Sequence, residues 1–407
     1  MEKFFSKTAK RTKSSATRDL LRHASDPSKI YLAGGLPDPK TYPRDVIGKC
    51  AEELSKISPE ELFGNKAYDP LGYTETQGFP PLLKKISEVV LPLQKVDMDP
   101  KNIVITSGGQ QALDIISDIF LDEGDDIVIE LPTYLGMIGT VDRHNPKYNG
   151  IPLENDGIDT SKLEEVLRKK EVKFIYIIPD FQNPSGITMS QKKREEILEL
   201  AEKYDTFIIE DSPYKELRYE GKDLDSFLSM DSNRVVQVST FSKTFCPGLR
   251  IGYIATKNEE ILDKIIKYKQ HNDLCSPAYT QALMSRVLSM EGFYEKNIDK
   301  LRKHYKPKRD LMLKSLEECM PVGVEWNRPE GGLFLSVRFP KINTNVDSNF
   351  TKECIERGVV YVPGSTFYPP IYREKYNNEA RLTFGYPTEE EIRKGIKILG
   401  ETVEDFL

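Results

Sequence analysis

Cysteine is scarce in this chain: Cys50, Cys246, Cys275, Cys319 and Cys354 are the whole complement of a 407-residue sequence. Their number is odd and no two form a CxxC pair, which excludes a disulfide scaffold and points to a reduced, intracellular protein. Histidine is scarcer still (His23, His144, His271 and His304), and none pairs at metal-ligand spacing, so no zinc site is expected. No apolar run approaches the roughly 18 residues of a membrane span. The opening MEKFFSKTAKRTK is basic but lacks the apolar core of a secretory signal, and it reads as an arm packed on the folded body. The net charge of -6 lacks the basic surplus that nucleic-acid binding requires. There is no internal repeat and no low-complexity tract. What remains, 38% apolar and 30% charged residues, is a soluble globular composition, expected in the cytoplasm and long enough for two or three domains.

The middle of the chain alternates short apolar runs with amphipathic stretches. Asn102–Thr106, Asp126–Leu131, Lys173–Ile178, Thr206–Glu210, Val235–Thr240 and Arg250–Thr256 read as strands, with helices near Gln110–Phe120 and over QKKREEILELAEKY. Strands separated by helices of about 10–15 residues indicate a mostly parallel sheet covered on both faces. Ligands bind beyond the carboxyl ends of such strands. From about residue 290 the pattern changes to a long charged helix with a bend near Pro307. Strands follow near Gly332–Phe339 and Ala380–Phe384, and helices near Ser348–Arg357 and Thr388–Phe406. The expected division is an arm and part of a small domain over 1–44, a large domain over 45–300 and an α+β small domain over 301–407.

The string STFSKTFCPGLRIGY, Ser239 to Tyr253, holds the chain's most specific chemistry. A lysine that forms an imine must sit in a confined site that lowers its pKa, and Lys243 follows a strand in a hydroxyl-rich turn. Thr240, Ser242 and Arg250 offer two hydroxyls and a bidentate guanidinium, a donor set suited to phosphate. A lone SxK is usually a solvated turn lysine; the whole string with PGLR is far more specific.

This string resembles the cofactor-lysine segment of class I aminotransferases of the fold type I pyridoxal-phosphate (PLP) family. The resemblance runs from LAGGLPDP at Leu32 to RLTFGYP ending at Pro387, and is nearest the branch of 2-aminoadipate, kynurenine and aromatic aminotransferases. It implies an α/β, PLP-dependent transferase fold type I with a mostly parallel central sheet flanked by helices, plus a smaller α+β domain. It implies that Lys243 carries PLP. TSGGQQALD supplies the phosphate cradle, with backbone N–H groups of Gly109 and Gln110 at a helix start. Gly109 stands where the family often has a hydroxyl. Tyr134 matches the residue stacked on the cofactor ring, Asn183 and Tyr214 the donors to its ring oxygen, and Asp211 the partner of its ring nitrogen. The resemblance further assigns Arg381, Gly35 and Asn183 to the substrate carboxylate, and Tyr73 to the phosphate of a neighbouring subunit in a homodimer with shared sites. Arg18, in the arm, is matched to a substrate's distal carboxylate, with a surface ion pair as the competing reading.

The implied reaction is ping-pong transamination from an amino acid (2-aminoadipate, aromatic or similar) to a 2-oxo acid such as 2-oxoglutarate, in amino acid metabolism or biosynthesis. Lys243, Asp211 and Tyr134 are the catalytic set. A C–S lyase or decarboxylase would use the same parts and stays open. A PLP-binding regulator would carry a DNA-binding helix-turn-helix, for which the roughly 30 residues before LAGGLP are too few. Neither nucleic acid nor membrane is an expected partner.

Overall fold

The computed structural model describes residues 2–12, 26–230 and 233–407. Its strands, in chain order, are β1 (Ile30–Tyr31), β2 (Ile103–Thr106), β3 (Asp126–Leu131), β4 (Lys147–Glu154), β5 (Gly157–Ile158), β6 (Val172–Ile177) and β7 (Phe207–Asp211). They continue as β8 (Val235–Thr240), β9 (Gly252–Ala255), β10 (Glu325–Trp326), β11 (Phe334–Arg338), β12 (Val359–Val360), β13 (Val362–Pro363) and β14 (Glu379–Thr383). Eight of them form one sheet in the order β2-β9-β8-β7-β6-β3-β4-β5. Its pairings are parallel except those of β9, antiparallel to β2 and β8, and of β5, antiparallel to β4.

Alternation along these strands sends side chains to two cores, one on each face. Val104, Ile127, Ile129, Phe174, Ile209 and Val238 pack with Ala112, Leu113 and Ile116 of the helix Gly109–Phe120 and with Ile265 of the helix Glu259–Asn272. Ile105, Val128, Ile175, Ile177 and Ile208 pack on the opposite face with Leu163, Ile197 and Val287. Both cores are fully enclosed, as a sheet covered on both faces requires.

The C-terminal part builds a second sheet, β10-β11-β14-β13, with its own core around Leu335, Leu382, Ile396 and Leu399. β1 pairs in parallel with β12, so the segment near residue 30 belongs structurally to the C-terminal half. Helix Phe293–Cys319 joins the two cores and continues through Pro307. Tyr305, Leu301 and Met312 are buried along it, and that packing offsets the one amide hydrogen bond proline forfeits. The last helix, Glu389–Phe406, begins with a capping box between Thr388 and Glu391. Near the N-terminus a short helix, Lys7–Arg11, is tied to the turn before β3 by an ion pair between Arg11 and Glu123. Among the described residues no helix is long and apolar enough to cross a membrane.

Candidate active site

Five strands deliver their carboxyl ends to one cavity of about 370 Å³. β2 leads to Gly109 and Gln110, β3 to Tyr134, β6 to Asn183, β7 to Asp211 and Tyr214, and β8 to Thr240, Ser242 and Lys243; all line it. Arg250 enters from the turn before β9, Arg381 from β14 and Gly35 from the segment after β1. Thus the chain brings together twelve residues that the sequence singled out. Tyr73 is not among them: its side chain is 85% exposed, away from this cavity. Arg18 lies outside the described residues.

At one end of the cavity the groups suit a multiply charged anion. Helix Gly109–Phe120 starts here, and the N–H groups of its first turn have no intrahelical acceptor. Gly108 has φ +79°, and a Cβ on it would collide with the Arg250 guanidinium. Arg250 itself is held by the carbonyls of Ser107 (3.2 Å) and Pro247 (3.3 Å), with no carboxylate partner among the described residues. The hydroxyls of Thr240 and Ser242 are 2.9 Å apart. Thr240 Oγ1 accepts from the Ser242 N–H (3.1 Å) and lies 3.0 Å from the Ile251 carbonyl, so its position is fixed while its one O–H can turn to an anion. The side chain of Gln110 turns away to Thr140 (2.7 Å), leaving its backbone for the anion.

Deeper in, Asp211 ends β7. Burial pushes its carboxyl up to about 6, against the hydroxyl of Tyr176, which donates to Oδ2 at 2.5 Å, and against the charge of Lys243. Among the described residues no cation makes an ion pair with it. A buried carboxylate in that position calls for a cationic partner from a ligand. Lys243 Nζ donates to the Gly35 carbonyl at 2.8 Å. Burial, then the charges of Arg381 and Arg250, bring its ammonium down to about 8, with Asp211 opposing. A free-amine fraction is therefore present near neutral pH, as a nucleophile needs.

Arg381 is buried and lies over the rings of Phe334 (4.3 Å) and Phe367 (5.1 Å). It donates to Asn183 Oδ1 at 3.0 Å and to the Ala33 carbonyl at 2.8 Å, both neutral, and its Nε has no partner. Burial pulls it down to about 10. An uncompensated guanidinium held this way fits a carboxylate from the ligand.

Several lining residues escaped the sequence reading: Tyr31, Leu36, Leu135 and Phe334 on the walls, and Tyr176 behind Asp211. The wall residues gave no signal beyond ordinary core hydrophobicity. Tyr176 did give one, a hydroxyl inside the apolar run KFIYII, because a buried tyrosine oxygen has to find a partner. Among the described residues there is no cluster of three or more metal-ligating side chains.

The ligand this cavity would satisfy has a phosphate-like end, a protonated nitrogen facing Asp211, an electrophilic carbon within reach of Lys243 and a carboxylate at Arg381. Those are the features of PLP together with an amino acid, and the residues fit the pair. Comparisons agree. The chain is 40% identical to aromatic-amino-acid aminotransferase 1 of Thermococcus litoralis, over 99% of this chain and 95% of the relative. It is 32% identical to the 2-aminoadipate transaminase of Thermus thermophilus, over 99% and 97%. A crystal structure of Pyrococcus horikoshii kynurenine aminotransferase in complex with PMP superposes with a TM-score of 0.91, at 40% identity over 100% of this chain and 98% of that one. Residues 64–399 match the family described as aminotransferase class I and II, to which the chain belongs, as a PLP-dependent enzyme that transfers amino groups.

Proposed function

We propose that the enzyme takes the amino group from a large apolar donor, an aromatic amino acid foremost, and passes it to 2-oxoglutarate in a ping-pong cycle. The observation that carries the choice of donor is the cavity's composition. Among the described residues the cations lining it are Lys243, Arg250 and Arg381, each with a task, and the wall beyond them is built from Tyr31, Leu36, Leu113, Leu135 and Phe334. Such a wall rewards apolar side chains at roughly 25 cal/mol per Å² buried. Relatives named for aromatic amino acids and kynurenine support the same range, and one named for 2-aminoadipate adds a donor with a distal carboxylate.

PLP supplies an electron sink in its protonated ring and stores the amino group between half-reactions. The chain's residues do the rest. Arg250, Thr240, Ser242 and the N–H groups of Gly109 and Gln110 hold the phosphate, joined by Tyr73 from a second subunit. Tyr134 stacks on the ring, Asn183 and Tyr214 donate to its oxygen, and Asp211 pairs with its nitrogen. Arg381, Asn183 and Gly35 orient the donor's α-carboxylate. Lys243 would hold the cofactor, and its Nζ as a free amine would be the base for the donor's Cα proton.

A panel of amino donors with 2-oxoglutarate tests the reading: glutamate should form fastest from aromatic donors. Release of carbon dioxide or sulfide without glutamate would overturn it. Borohydride should fix the cofactor to Lys243, and Lys243→Ala should abolish turnover. Arg18 is the proposed partner of a distal carboxylate. Arg18→Ala should lower kcat/KM for 2-aminoadipate about 10- to 150-fold, the value of one charge-assisted hydrogen bond, and leave phenylalanine unchanged. Equal loss for both donors would remove Arg18 from substrate recognition.

A further inference from the structure

Asp211 has a partner that faces away from the cavity. Tyr176, in β6, is fully buried, and its hydroxyl makes a single hydrogen bond, donated to Asp211 Oδ2 at 2.5 Å. The two side chains rise from the same face of the sheet, on adjacent parallel strands paired Tyr176 with Ile209. The other titratable groups felt by Asp211 are Lys243, Tyr134, Tyr214 and Glu130. Lys243 is occupied with the Gly35 carbonyl. Glu130 hydrogen-bonds elsewhere, to the Ile178 N–H and Gln182. Tyr176 is therefore the one side chain among the described residues that donates a hydrogen bond to this carboxylate.

We propose that Tyr176 is a positioning residue that keeps the shared proton on the cofactor's ring nitrogen by making Asp211 a weaker base. This rests on the assignment of Asp211 to that nitrogen. The reasoning is a proton balance between two acceptors. A carboxylate that accepts a strong, desolvated O–H bond has its negative charge stabilised, so it competes less well for the proton lying between it and the ring. With that bond removed, the proton shifts from nitrogen to Asp211 Oδ, the ring loses its formal positive charge, and its capacity to accept electrons falls. Tyr176 never touches cofactor or substrate; it also fixes the carboxylate's rotation, since Oδ2 is held and only Oδ1 is left for the ring.

Tyr176→Phe in the holoenzyme removes one oxygen and keeps the ring that packs against the sheet. The cofactor's visible absorbance should then titrate at higher pH, by roughly one unit, and kcat should fall about tenfold with KM little changed. In cofactor labelled with ¹⁵N at the ring, the nitrogen resonance should move toward neutral pyridine. Replacing Tyr176 with 3-fluorotyrosine, a better donor of nearly the same size, should shift the absorbance titration the opposite way. That variant keeps the question decidable if the phenylalanine protein folds poorly. Unchanged titration and unchanged nitrogen shift in either folded variant would overturn the proposal. Asp211→Asn separates this failure from failure of the underlying assignment: if it transaminates normally, Asp211 is not the ring partner. If it is nearly inactive while Tyr176 variants behave as wild type, only the role of Tyr176 is wrong.

Discussion

Asp211 and Glu130 are both buried carboxyls, on strands β7 and β3 that flank β6, yet their surroundings ask opposite things of them. Asp211 faces the cavity and a cationic ligand, whereas Glu130 hydrogen-bonds only to neutral groups. Glu130 Oε2 accepts from the Ile178 N–H (3.1 Å) and from Gln182 (3.2 Å), and Oε1 has no partner. Burial raises this carboxyl to about 8, against those two hydrogen bonds and with the charge of Asp211 adding to the rise. In the unfolded chain a glutamate ionises near ~4.3. Between that pH and about 8 the unfolded state gives up a proton that the folded state keeps, so this residue makes stability fall as pH rises through the window, with no further change above it. Glu130→Gln keeps an acceptor for Ile178 and cannot titrate. Relative to wild type, the variant should gain stability from pH 5 to pH 8, by up to several kcal/mol. Denaturant midpoints at both pH values measure this; an equal difference at the two would show that Glu130 is ionised in the fold. Gln182 extends the same network, donating to the Pro132 carbonyl (2.7 Å) and accepting from the backbone N–H and hydroxyl of Ser185. That ties the turn before Tyr134 to the turn holding Asn183.

The elements place these residues, and the junction from β2 into helix Gly109–Phe120 shows how tightly. Gly108 combines a left-handed φ with a contact on Arg250 that leaves no space for a Cβ. The obstacle is the mobile end of a side chain rather than backbone, so Gly108→Ala should fold while displacing the guanidinium from the anion end of the cavity. Cofactor affinity should fall by about 1–3 kcal/mol, some 5- to 150-fold, and the backbone strain of a Cβ at this φ should lower the thermal midpoint as well. A cofactor titration of the apoenzyme would show it, and wild-type affinity would mean Arg250 does not hold the phosphate. The strands around this junction were legible because their apolar runs are short, β-branched and bounded by polar turns. Val235–Thr240 matches to the residue, and Thr206–Glu210 is displaced by one, which puts Asp211 inside β7 rather than after it. What the sequence hid has physical reasons. The period of β9 says nothing of its direction, and it runs antiparallel because it returns from the Lys243 turn to pair between β2 and β8. β4, KYNGIPLE, carries glycine and proline that mask a strand pattern; its Gly150 is small because a side chain there would collide with Leu131. Tyr176 stood in plain view in the middle of β6, but only the register of neighbouring strands reveals which carboxylate it meets.

For the whole molecule, the residues left unexplained by a single chain point outward. Tyr73 and Leu71 are 85% and 83% exposed. The loop carrying them ends at Phe79, whose N–H donates to Gln281 Oε1 at 2.8 Å. Gln281 lies in helix Ala278–Leu288, beside the exposed Tyr279 and a few residues after the exposed Leu274. Large apolar groups so exposed are costly in water and are the usual composition of an interface. The proposed dimer would cover them and carry Tyr73 to the partner's phosphate end, which in one chain is supplied by Arg250, Thr240, Ser242 and the helix start alone. Sedimentation at assay concentration should therefore find a dimer, and dilution to monomer should cost cofactor affinity along with activity. Tyr73→Phe should leave the dimer intact, because its ring still packs, while weakening cofactor binding by about 0.5–1.5 kcal/mol, the net value of one hydrogen bond. Leu71→Asp should act through assembly, shifting the dimer toward monomer and lowering cofactor affinity only as the dimer dissociates. A fully active monomer that binds its cofactor at wild-type strength would break the link between these surfaces and the active site.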